Sequence, residues 1–361
     1  MLDISKIDKN FAINTNIENE DIQFYNVDER PFKIYGIFKE NGKYRRMPEK
    51  IAKEVSSGVY ALHTHTAGGR IRFKTDSPYI AVNVQMDGIG RMTHFPLTGS
   101  AGLDFYVRED GMEKYSGTFK PPYDMKDGFE DLIYFKNNKY AQPTRKMREI
   151  TVNLPPYSEI KDLYIGIENG AVLEEPSPYV NEKPIVYYGH SITQGGCVSR
   201  PGYAYPCILS RRFHYDFLNL GFSGSAKGDE KIAEYIAGLD AQMLVYDYDH
   251  NAPDVDFLRN THEKMFKIIR AAKPDLPVIM LTTTPKLYYL GENEERKQVV
   301  YQTYMNAVNA GDKNVYFLDG SKVCDECIDG PVGATVEGSH LNDLGFTYLA
   351  KALGDLMEKI R

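Results

Sequence analysis

The sequence predicts a mixed architecture, in which an N-terminal β-sandwich of jelly-roll-like character is followed by a three-layer α/β/α part with a parallel sheet. Short apolar runs between turn residues fill the first half, whereas strand-like runs alternate with helical ones in the second half. A length of 361 residues also suits two domains better than one. We therefore expect a β-sandwich domain at 1–175 and an α/β domain at 184–361.

The strands of the first half are recognised by alternation. Ile71 and Phe73, and likewise Ile80, Val82 and Val84, place apolar side chains at every second residue, which is the period of a half-buried strand. Gly, Pro and Asp residues separate such runs, as expected for turns. Further strands are expected at 32–36, 102–107, 148–154 and 162–167.

The two halves meet in a polar segment, 173–184, which contains three prolines and lacks apolar periodicity, so we expect a linker there. After it, the alternation of strands and helices predicts a parallel sheet covered on both faces. In such sheets the functional site forms at the carboxyl ends of the strands. The expected strands are 185–188, 217–220, 243–246, 278–281 and 315–318, and the expected helices are 203–213, 229–238, 254–272, 294–310 and 343–360.

The composition argues against several kinds of partner. A net charge of −7 disfavours nucleic acid, whose phosphates require a basic face. No run approaches the roughly 20 apolar residues of a membrane-spanning helix, and the N-terminus lacks a basic segment followed by an apolar one. We expect a cytoplasmic protein without a membrane partner, and the oligomeric state stays open. The 27 tyrosines fit sugar-binding faces, although buried strands are the commoner place for tyrosine.

The chain has four cysteines, Cys197, Cys207, Cys324 and Cys327. In a reducing compartment they are expected to be free thiols. The Cys324-x-x-Cys327 pair could instead be half of a zinc site or a redox pair, but a zinc site would also need Cys197 and Cys207, at an unusual spacing. We therefore expect neither a metal nor a cofactor.

Two short motifs carry the candidate chemistry. The first strand of the second half ends in Gly189-His190-Ser191, which places a serine just beyond a buried strand. Glu337 and His340 stand three residues apart, immediately before the last helix. A serine hydroxyl becomes a good nucleophile when an imidazole takes its proton, and a carboxylate can hold the other ring N–H of that imidazole. Taken singly, each motif also fits an ordinary turn or a loop before a helix N-cap.

Two loops at neighbouring strand ends strengthen the interpretation. The small-residue loop from Asn219 to Ser225 follows the second strand, and a loop of this kind lets backbone N–H groups point into a site. Asn251 follows the third strand, where its side-chain amide can donate to a developing oxyanion. Together with Ser191 and His340 these loops should share one edge of one sheet, which predicts a hydrolytic site.

In this order the motifs resemble those of the SGNH (GDSL-like) hydrolase superfamily: Gly-x-Ser, then Asn-x-Gly-x-x-Gly, then an asparagine after the third strand, then acid-x-x-His before the last helix. The run from Gly189 to Gly202 is similar to the branch that carries an N-terminal β-sandwich, and Asp162-Leu163-Tyr164 fits the end of that sandwich. The resemblance implies a flavodoxin-like SGNH hydrolase domain in the second half.

The resemblance also implies roles for individual residues. Ser191 would be the nucleophile, His340 the base and Glu337 the acid. The oxyanion hole would combine the backbone N–H groups of Ser191 and Gly224 with the side chain of Asn251.

Two positions depart from the pattern of the superfamily. His190 stands where an aspartate usually follows the first glycine, but this residue is not the nucleophile. Glu337 stands where an aspartate usually precedes the histidine, and its extra methylene would need some backbone adjustment. A backbone carbonyl could orient His340 instead, which would leave a Ser–His dyad.

The expected activity is that of a serine esterase with a small-molecule or carbohydrate ester as substrate. The resemblance implies that it removes acetyl groups from an O-acetylated carbohydrate. The same residues would serve an acyltransferase, and the two departures would also suit a catalytically inactive carbohydrate-binding protein. His250 and Arg200 are further candidates for substrate contacts, with packing and a structural salt bridge as their alternatives.

Overall fold

The computed structural model describes residues 15–19, 21–136, 143–284, 286–287 and 290–360 of the chain. Within them, antiparallel sheets occupy the part before residue 175 and a parallel sheet occupies the part after residue 180. The predicted fold class is confirmed. None of the described helices is long and apolar enough to cross a membrane.

The antiparallel part consists of two larger sheets and a hairpin. One sheet has the strand order β1-β11-β6-β9, the other has the order β12-β5-β10-β7-β8 with β2 beside β5, and β3 pairs with β4. The strands are β1 (Ile22–Asn26), β2 (Lys33–Tyr35), β3 (Phe38–Glu40), β4 (Lys43–Arg45), β5 (Arg70–Thr75), β6 (Tyr79–Gly88), β7 (Leu103–Glu109), β8 (Met112–Phe119), β9 (Gly128–Tyr134), β10 (Arg148–Asn153), β11 (Glu159–Glu168) and β12 (Leu173–Glu174).

The two larger sheets share one apolar core. Ile71 and Phe73 of β5 and Val152 of β10 meet Val82 of β6 and Ile165 of β11 in a single buried cluster. Burial of an aliphatic or aromatic side chain of this size contributes about 1.5–3 kcal/mol. The period-2 pattern therefore fixes the register, because a slip of one residue would turn these side chains to the solvent.

Three helices interrupt the antiparallel part: α1 (Glu49–Val55), α2 (Ser57–Leu62) and α3 (Leu97–Ser100). They were not among the expected elements. Ser56 caps α2, since its side chain accepts a hydrogen bond from the Val59 N–H. Ala52 and Val59 belong to the buried cluster on one face of the parallel sheet, so α1 and α2 fold onto the second half of the chain.

In the described residues the parallel sheet has the strand order β14-β13-β15-β16-β17, which is the flavodoxin-like order 2-1-3-4-5. The strands are β13 (Asn181–Gly189), β14 (Tyr215–Gly221), β15 (Met243–Asp247), β16 (Val278–Leu281) and β17 (Val315–Leu318). The helices are α4 (Ser191–Gln194), α5 (Tyr205–Phe213), α6 (Glu230–Gly238), α7 (Val255–Ala272), α8 (Leu290–Asn309) and α9 (Asp343–Ile360).

Both faces of the parallel sheet are covered by helices. Tyr187 and Val245 point into the cluster formed with α5 and α9, whereas Val186, Leu244 and Met280 point into the cluster formed with α6, α7 and α8. This explains why the strands appear in the sequence as short continuous apolar runs rather than as alternating ones.

The boundary between the two parts lies close to the predicted linker. The two-residue strand β12 pairs with β5, so it belongs to the sandwich. β13 begins at Asn181, four residues before the expected strand, because Asn181 pairs with Tyr215 ahead of a register shift. The division into domains at 1–175 and 184–361 stays a prediction, and residues 1–14 of the first range lie outside the described residues.

Candidate active site

Three parallel strands end in register where the candidate site lies. Gly189 at the end of β13 pairs with Gly221 of β14 on one side and with Asp247 of β15 on the other. The His190 N–H then donates to the Asp247 carbonyl, 3.0 Å away, and the Phe222 N–H donates to the Gly189 carbonyl, 2.8 Å away. The three loops that follow these strands therefore leave the sheet side by side.

The turn into α4 requires glycine at position 189 because the backbone is crowded there. A Cβ on Gly189 would lie 2.3 Å from the carbonyl oxygen of Asp247 and 2.3 Å from Thr193 Oγ1. The His190 side chain caps the helix, since its Nδ1 accepts from the Ile192 N–H at 3.2 Å. Ser191 is thus the first residue of α4, and it keeps 8% of its surface exposed.

His340 links Ser191 to Glu337. Its Nε2 lies 2.9 Å from Ser191 Oγ and its Nδ1 lies 2.8 Å from Glu337 Oε1. An ionised carboxylate only accepts hydrogen bonds, so Nδ1 carries the ring proton and Nε2 offers its lone pair to the Ser191 hydroxyl. The chain of contacts has the arrangement of a catalytic triad.

The loop between the acid and the base is held by its own hydrogen bonds. Glu337 Oε1 also accepts from the backbone N–H of His340 at 2.9 Å, so one carboxylate oxygen fixes both the backbone and the ring. The Val336 N–H donates to the His340 carbonyl at 2.8 Å, and the Gly338 N–H donates to Thr335 Oγ1 at 2.9 Å. In this loop the longer side chain of glutamate reaches the imidazole.

Burial shifts the pKa of His340 below its ordinary value, because an imidazolium is poorly solvated there. Hydrogen bonding and charge attraction from Glu337 act in the opposite direction, while Lys286 and His94 add to the lowering. Neutral imidazole is the form that can accept a proton from a serine. The environment therefore favours the neutral imidazole, which is the form that a general base requires.

Gly224 lies in the loop after β14 and Asn251 in the loop after β15, and a hydrogen bond between Asn251 and Phe222 joins the two loops. Gly224 has φ +66°, a left-handed conformation that suits glycine, and within the described residues its N–H donates to no acceptor. Asn251 lies in a 3-10 turn after β15, and its Nδ2 donates one hydrogen bond to the Phe222 carbonyl at 3.0 Å. Among the described residues the second Nδ2 hydrogen has no acceptor, so it is available as a donor to an oxyanion.

We predict that Asn251→Ala lowers kcat for an acetyl ester by about 10²–10³-fold, with a smaller change in KM, because a donor to the transition-state oxyanion is lost. Steady-state kinetics test this, with Asn260→Ala on the exposed face of α7 as a matched loss of an amide. The melting temperature separates the effect from loss of the contact with Phe222. A kcat equal to that of the wild type would remove Asn251 from the oxyanion hole.

Sequence analysis missed the residues that join the two halves of the chain at this site. Tyr157, from the loop before β11, donates its hydroxyl hydrogen to the Ser191 carbonyl at 3.3 Å. Gln194 donates to the Pro156 carbonyl at 2.9 Å and accepts from the Ser223 N–H at 2.9 Å. Gln194 thus connects the loop that carries Gly224 to the sandwich. The one hint of this role in the sequence was a polar residue about one turn after Ser191.

Arg46 holds the same loop from behind. It is fully buried, and its guanidinium donates to the carbonyls of Asn219 and Gly221, at 3.1 and 2.6 Å, and of Leu62, at 2.6 Å. It also stacks 4.6 Å from the centre of the Phe222 ring. Burial lowers the pKa of Arg46 to about 9. Nothing in the sequence indicated that an arginine of the first half would anchor a loop of the second half.

His190 belongs to a buried polar cluster under the site. Its Nε2 lies 3.1 Å from Asp247 Oδ1 and 3.2 Å from Thr283 Oγ1. Asp247 also accepts from Thr193 Oγ1 at 2.9 Å, and Asp249 accepts from the Thr283 N–H at 3.0 Å. The histidine whose role sequence analysis left open therefore caps α4 and joins the ends of β13, β15 and β16.

The two further candidates for substrate contacts are engaged with the protein. His250 has 3% of its side chain exposed, with Nδ1 3.1 Å from Asp249 Oδ1 and Nε2 2.8 Å from Asn293 Oδ1. Arg200 lies 3.6 Å from Asp104 Oδ2 and stacks between the rings of Tyr115 and Tyr203. The contacts of His250 fit a packing role, and those of Arg200 fit a structural salt bridge. A role in substrate binding stays a prediction for both residues.

The four cysteines are free and buried. Burial raises the pKa of the Cys197 thiol to about 12. Two groups of described residues bring three metal-ligand atoms within 4.8 Å of one another, His190–Asp247–Asp249 and His94–Cys197–His340. In the first group Asp247, Asp249 and His190 already form hydrogen bonds within the buried polar cluster under the site.

Comparison with known proteins identifies relatives of this chain. Residues 182–358 match the model of the GDSL-like lipase/acylhydrolase family, and residues 22–173 match the model of the N-terminus of SGNH-hydrolase-type esterases. A protein from Bacteroides ovatus assigned as a GDSL-like lipase is 27% identical, with a TM-score of 0.82 over 94% of this chain and 98% of that chain. No match was found among curated protein sequences.

Two more distant solved structures share the fold. A salicylyl-acyltransferase from a tetracycline biosynthetic pathway is 18% identical, with a TM-score of 0.74 over 95% of this chain and 98% of that chain. A family two carbohydrate esterase from Clostridium thermocellum, solved with cellohexaose, is 12% identical, with a TM-score of 0.59 over 91% of this chain and 98% of that chain.

The fold and the family matches define a serine hydrolase that acts on carboxylic esters. The chain belongs to the SGNH (GDSL-like) hydrolase superfamily, in the branch with an N-terminal β-rich domain. The resemblance found in the sequence is confirmed.

Proposed function

We propose that the protein hydrolyses a carboxylic ester through an acyl-enzyme, with Ser191 as nucleophile, His340 as base and Glu337 as the acid that orients the base. The observation that carries the proposal is the pair of contacts of His340, 2.9 Å to Ser191 Oγ and 2.8 Å to Glu337 Oε1. A hydroxyl, an imidazole and a carboxylate in this order can move a proton from the nucleophile to the base.

The steps follow from the positions of these groups. His340 Nε2 takes the Ser191 proton as Oγ attacks the ester carbonyl carbon. The oxyanion receives hydrogen bonds from the N–H groups of Ser191 and Gly224 and from the Asn251 amide, and one such donor is worth about 3–4 kcal/mol of barrier. His340 then gives the proton to the leaving alcohol, which leaves Ser191 acylated. Water, deprotonated by His340, releases the acid and restores the serine.

We infer that the substrate is an O-acetylated carbohydrate. The support is the shared fold with a family two carbohydrate esterase that was solved with cellohexaose, over 91% of this chain. The sandwich borders the site, since the ring centres of His94 and His340 lie 5.5 Å apart. A substrate larger than its acyl group would therefore meet both halves of the chain.

An acyltransferase is the second candidate. It is favoured by the fold shared with the salicylyl-acyltransferase, at a TM-score of 0.74. The two activities use the same residues and differ in whether water or an alcohol accepts the acyl group.

Acetate release from acetylated xylan, acetylated glucomannan and a simple aryl acetate tests the proposal. We expect release from at least one polysaccharide, with Ser191 labelled by a fluorophosphonate probe and identified by mass spectrometry. Ester formation with an added alcohol, in preference to hydrolysis, would establish the acyltransferase instead. Absence of both labelling and turnover, with retained binding of oligosaccharide, would identify an inactive carbohydrate-binding protein.

A further inference from the structure

We propose that His94, Cys197 and His340 form a binding site for a Zn²⁺-class cation, and that the bound cation switches the active site off. Each residue offers one ligand atom, and the three atoms lie within 4.8 Å of one another. Imidazole nitrogen and thiolate sulfur are the ligands that Zn²⁺ prefers, whereas Mg²⁺ and Ca²⁺ prefer oxygen. The inhibition rests on the proposed function of His340, but the binding of the cation does not.

The three ligands come from segments that are packed against one another. His94 lies at the tip of a tight turn closed by a bridge between Met92 and Phe95. Phe95 packs edge-on against Tyr157, with ring centres 5.3 Å apart. Just beyond it, Thr98 Oγ1 donates to the Ser199 carbonyl at 2.8 Å. These contacts hold the His94 turn of the sandwich over the segment that carries Cys197.

Cys197 is held in an uncommon conformation next to the base. Its φ is +74°, in the left-handed region that is sterically unfavourable for a residue other than glycine. The preceding Gly196 donates to the Ser191 carbonyl at 2.8 Å, and a Cβ at Gly196 would lie 3.6 Å from Cδ2 of His340. The backbone thus brings the thiol beside His340, although no step of the proposed reaction uses it.

The geometry is close to that of a zinc site. Tetrahedral Zn²⁺, with bonds of about 2.0–2.3 Å, sets ligand atoms roughly 3.3–3.8 Å apart. The imidazole rings of His94 and His340 have centres 5.5 Å apart and are inclined by 36°. Ligand atoms within 4.8 Å of one another are slightly farther apart than this, and rotation of the half-buried His94 ring and of the Cys197 side chain would close the remaining distance. A water molecule would fill the fourth position.

Binding would remove the base from the reaction. The Cys197 thiol loses its proton to solvent and binds as thiolate. In the tautomer that donates Nδ1–H to Glu337, the lone pair of His340 lies on Nε2, the nitrogen that faces Ser191 Oγ. A cation on that lone pair competes directly with the proton of Ser191, so the nucleophile is no longer activated.

The test measures binding and activity separately on the purified full chain. Co²⁺, a spectroscopic substitute for Zn²⁺, should give tetrahedral d–d bands and a thiolate charge-transfer band at one equivalent. Zn²⁺ should suppress hydrolysis of an aryl acetate at least about tenfold in parallel with its binding, EDTA should restore the rate, and Mg²⁺ should have no effect.

Two variants and a control make the outcome decisive. Cys197→Ser should abolish the charge-transfer band and weaken Zn²⁺ binding by about 100-fold or more, while its rate in EDTA stays within about threefold of the wild type. His94→Ala should weaken binding comparably, and it serves if Cys197→Ser fails to fold. Cys207→Ser, in α5, should bind Zn²⁺ like the wild type.

The proposal is overturned if Co²⁺ gives no charge-transfer band, or if Cys197→Ser and His94→Ala bind Zn²⁺ as tightly as the wild type. Binding without any esterase activity in EDTA would contradict the proposed function and leave the metal site supported. Turnover that is insensitive to a bound cation would overturn the switch.

Discussion

Replacement of Ser191 by alanine should lower kcat for an acetyl ester by roughly 10⁴–10⁶-fold, because the acyl-enzyme can no longer form. The protein should fold normally, since the Ser191 side chain makes its one described hydrogen bond to His340. Residual turnover above the uncatalysed rate would come from the oxyanion donors acting on bound substrate. Burst kinetics with an aryl ester measure the loss, since the wild type should show an acyl-enzyme burst and the variant none.

Ser339→Ala is the matched control for this prediction. Ser339 is a half-buried hydroxyl residue adjacent to His340 in sequence, and we give it no catalytic role. Its kcat should stay within about threefold of the wild type. A Ser191→Ala variant as active as the wild type would show that Ser191 is not the nucleophile. A Ser339→Ala variant as inactive as Ser191→Ala would show that the loss of activity is not specific to Ser191.

Replacement of Glu337 by alanine should lower kcat by about 10²–10⁴-fold, since the ring of His340 would lose the partner that fixes its tautomer and orientation. Glu337→Gln should fall between this variant and the wild type, because it keeps an acceptor oxygen but loses the charge. Glu326→Ala, an exposed carboxylate in the preceding loop, should be unchanged. If Glu337→Ala keeps wild-type kcat, a Ser–His dyad operates.

The pH dependence gives the Glu337 prediction a second readout. Hydrolysis needs neutral His340, so the rate is lost as the pH falls through the pKa of this residue. Burial lowers that pKa, so the acid limb of the wild type should lie below the ordinary value of about 6.5. Glu337 raises the same pKa, so the variants should move the acid limb to still lower pH. Profiles of kcat/KM in buffer containing EDTA measure the shift.

The strands and helices of the second half were predictable because each is determined locally. The expected strands 278–281 and 315–318 and the expected helix 343–360 coincide with β16, β17 and α9, and the other elements differ by a few residues at their ends. Continuous apolar runs of four or five residues are typical of strands that are buried on both faces, as in a parallel sheet covered by helices. In the first half, α1 and α2 were missed because their burial depends on the far side of the chain.

Part of the candidate site was predictable for the same reason. Ser191, Gly224 and Asn251 each follow the end of a strand, and the carboxyl ends of adjacent parallel strands meet at one edge. The contact between Glu337 and His340 is also local, since both residues lie in one short loop. Whether the glutamate side chain reaches the imidazole depended on the backbone of that loop.

The sequence determined the order of the motifs, the two kinds of sheet and the strand ends at which the candidate chemistry gathers, because these depend on local periodicity and turn residues. Tertiary structure decided which residues of the sandwich meet that edge. Tyr157 behind Ser191, Arg46 under the loop of Gly224, and His94 beside His340 all come from the first half of the chain. Such contacts arise from the packing of one surface on another, so they cannot be predicted from the local propensity of the residues or from their spacing along the chain.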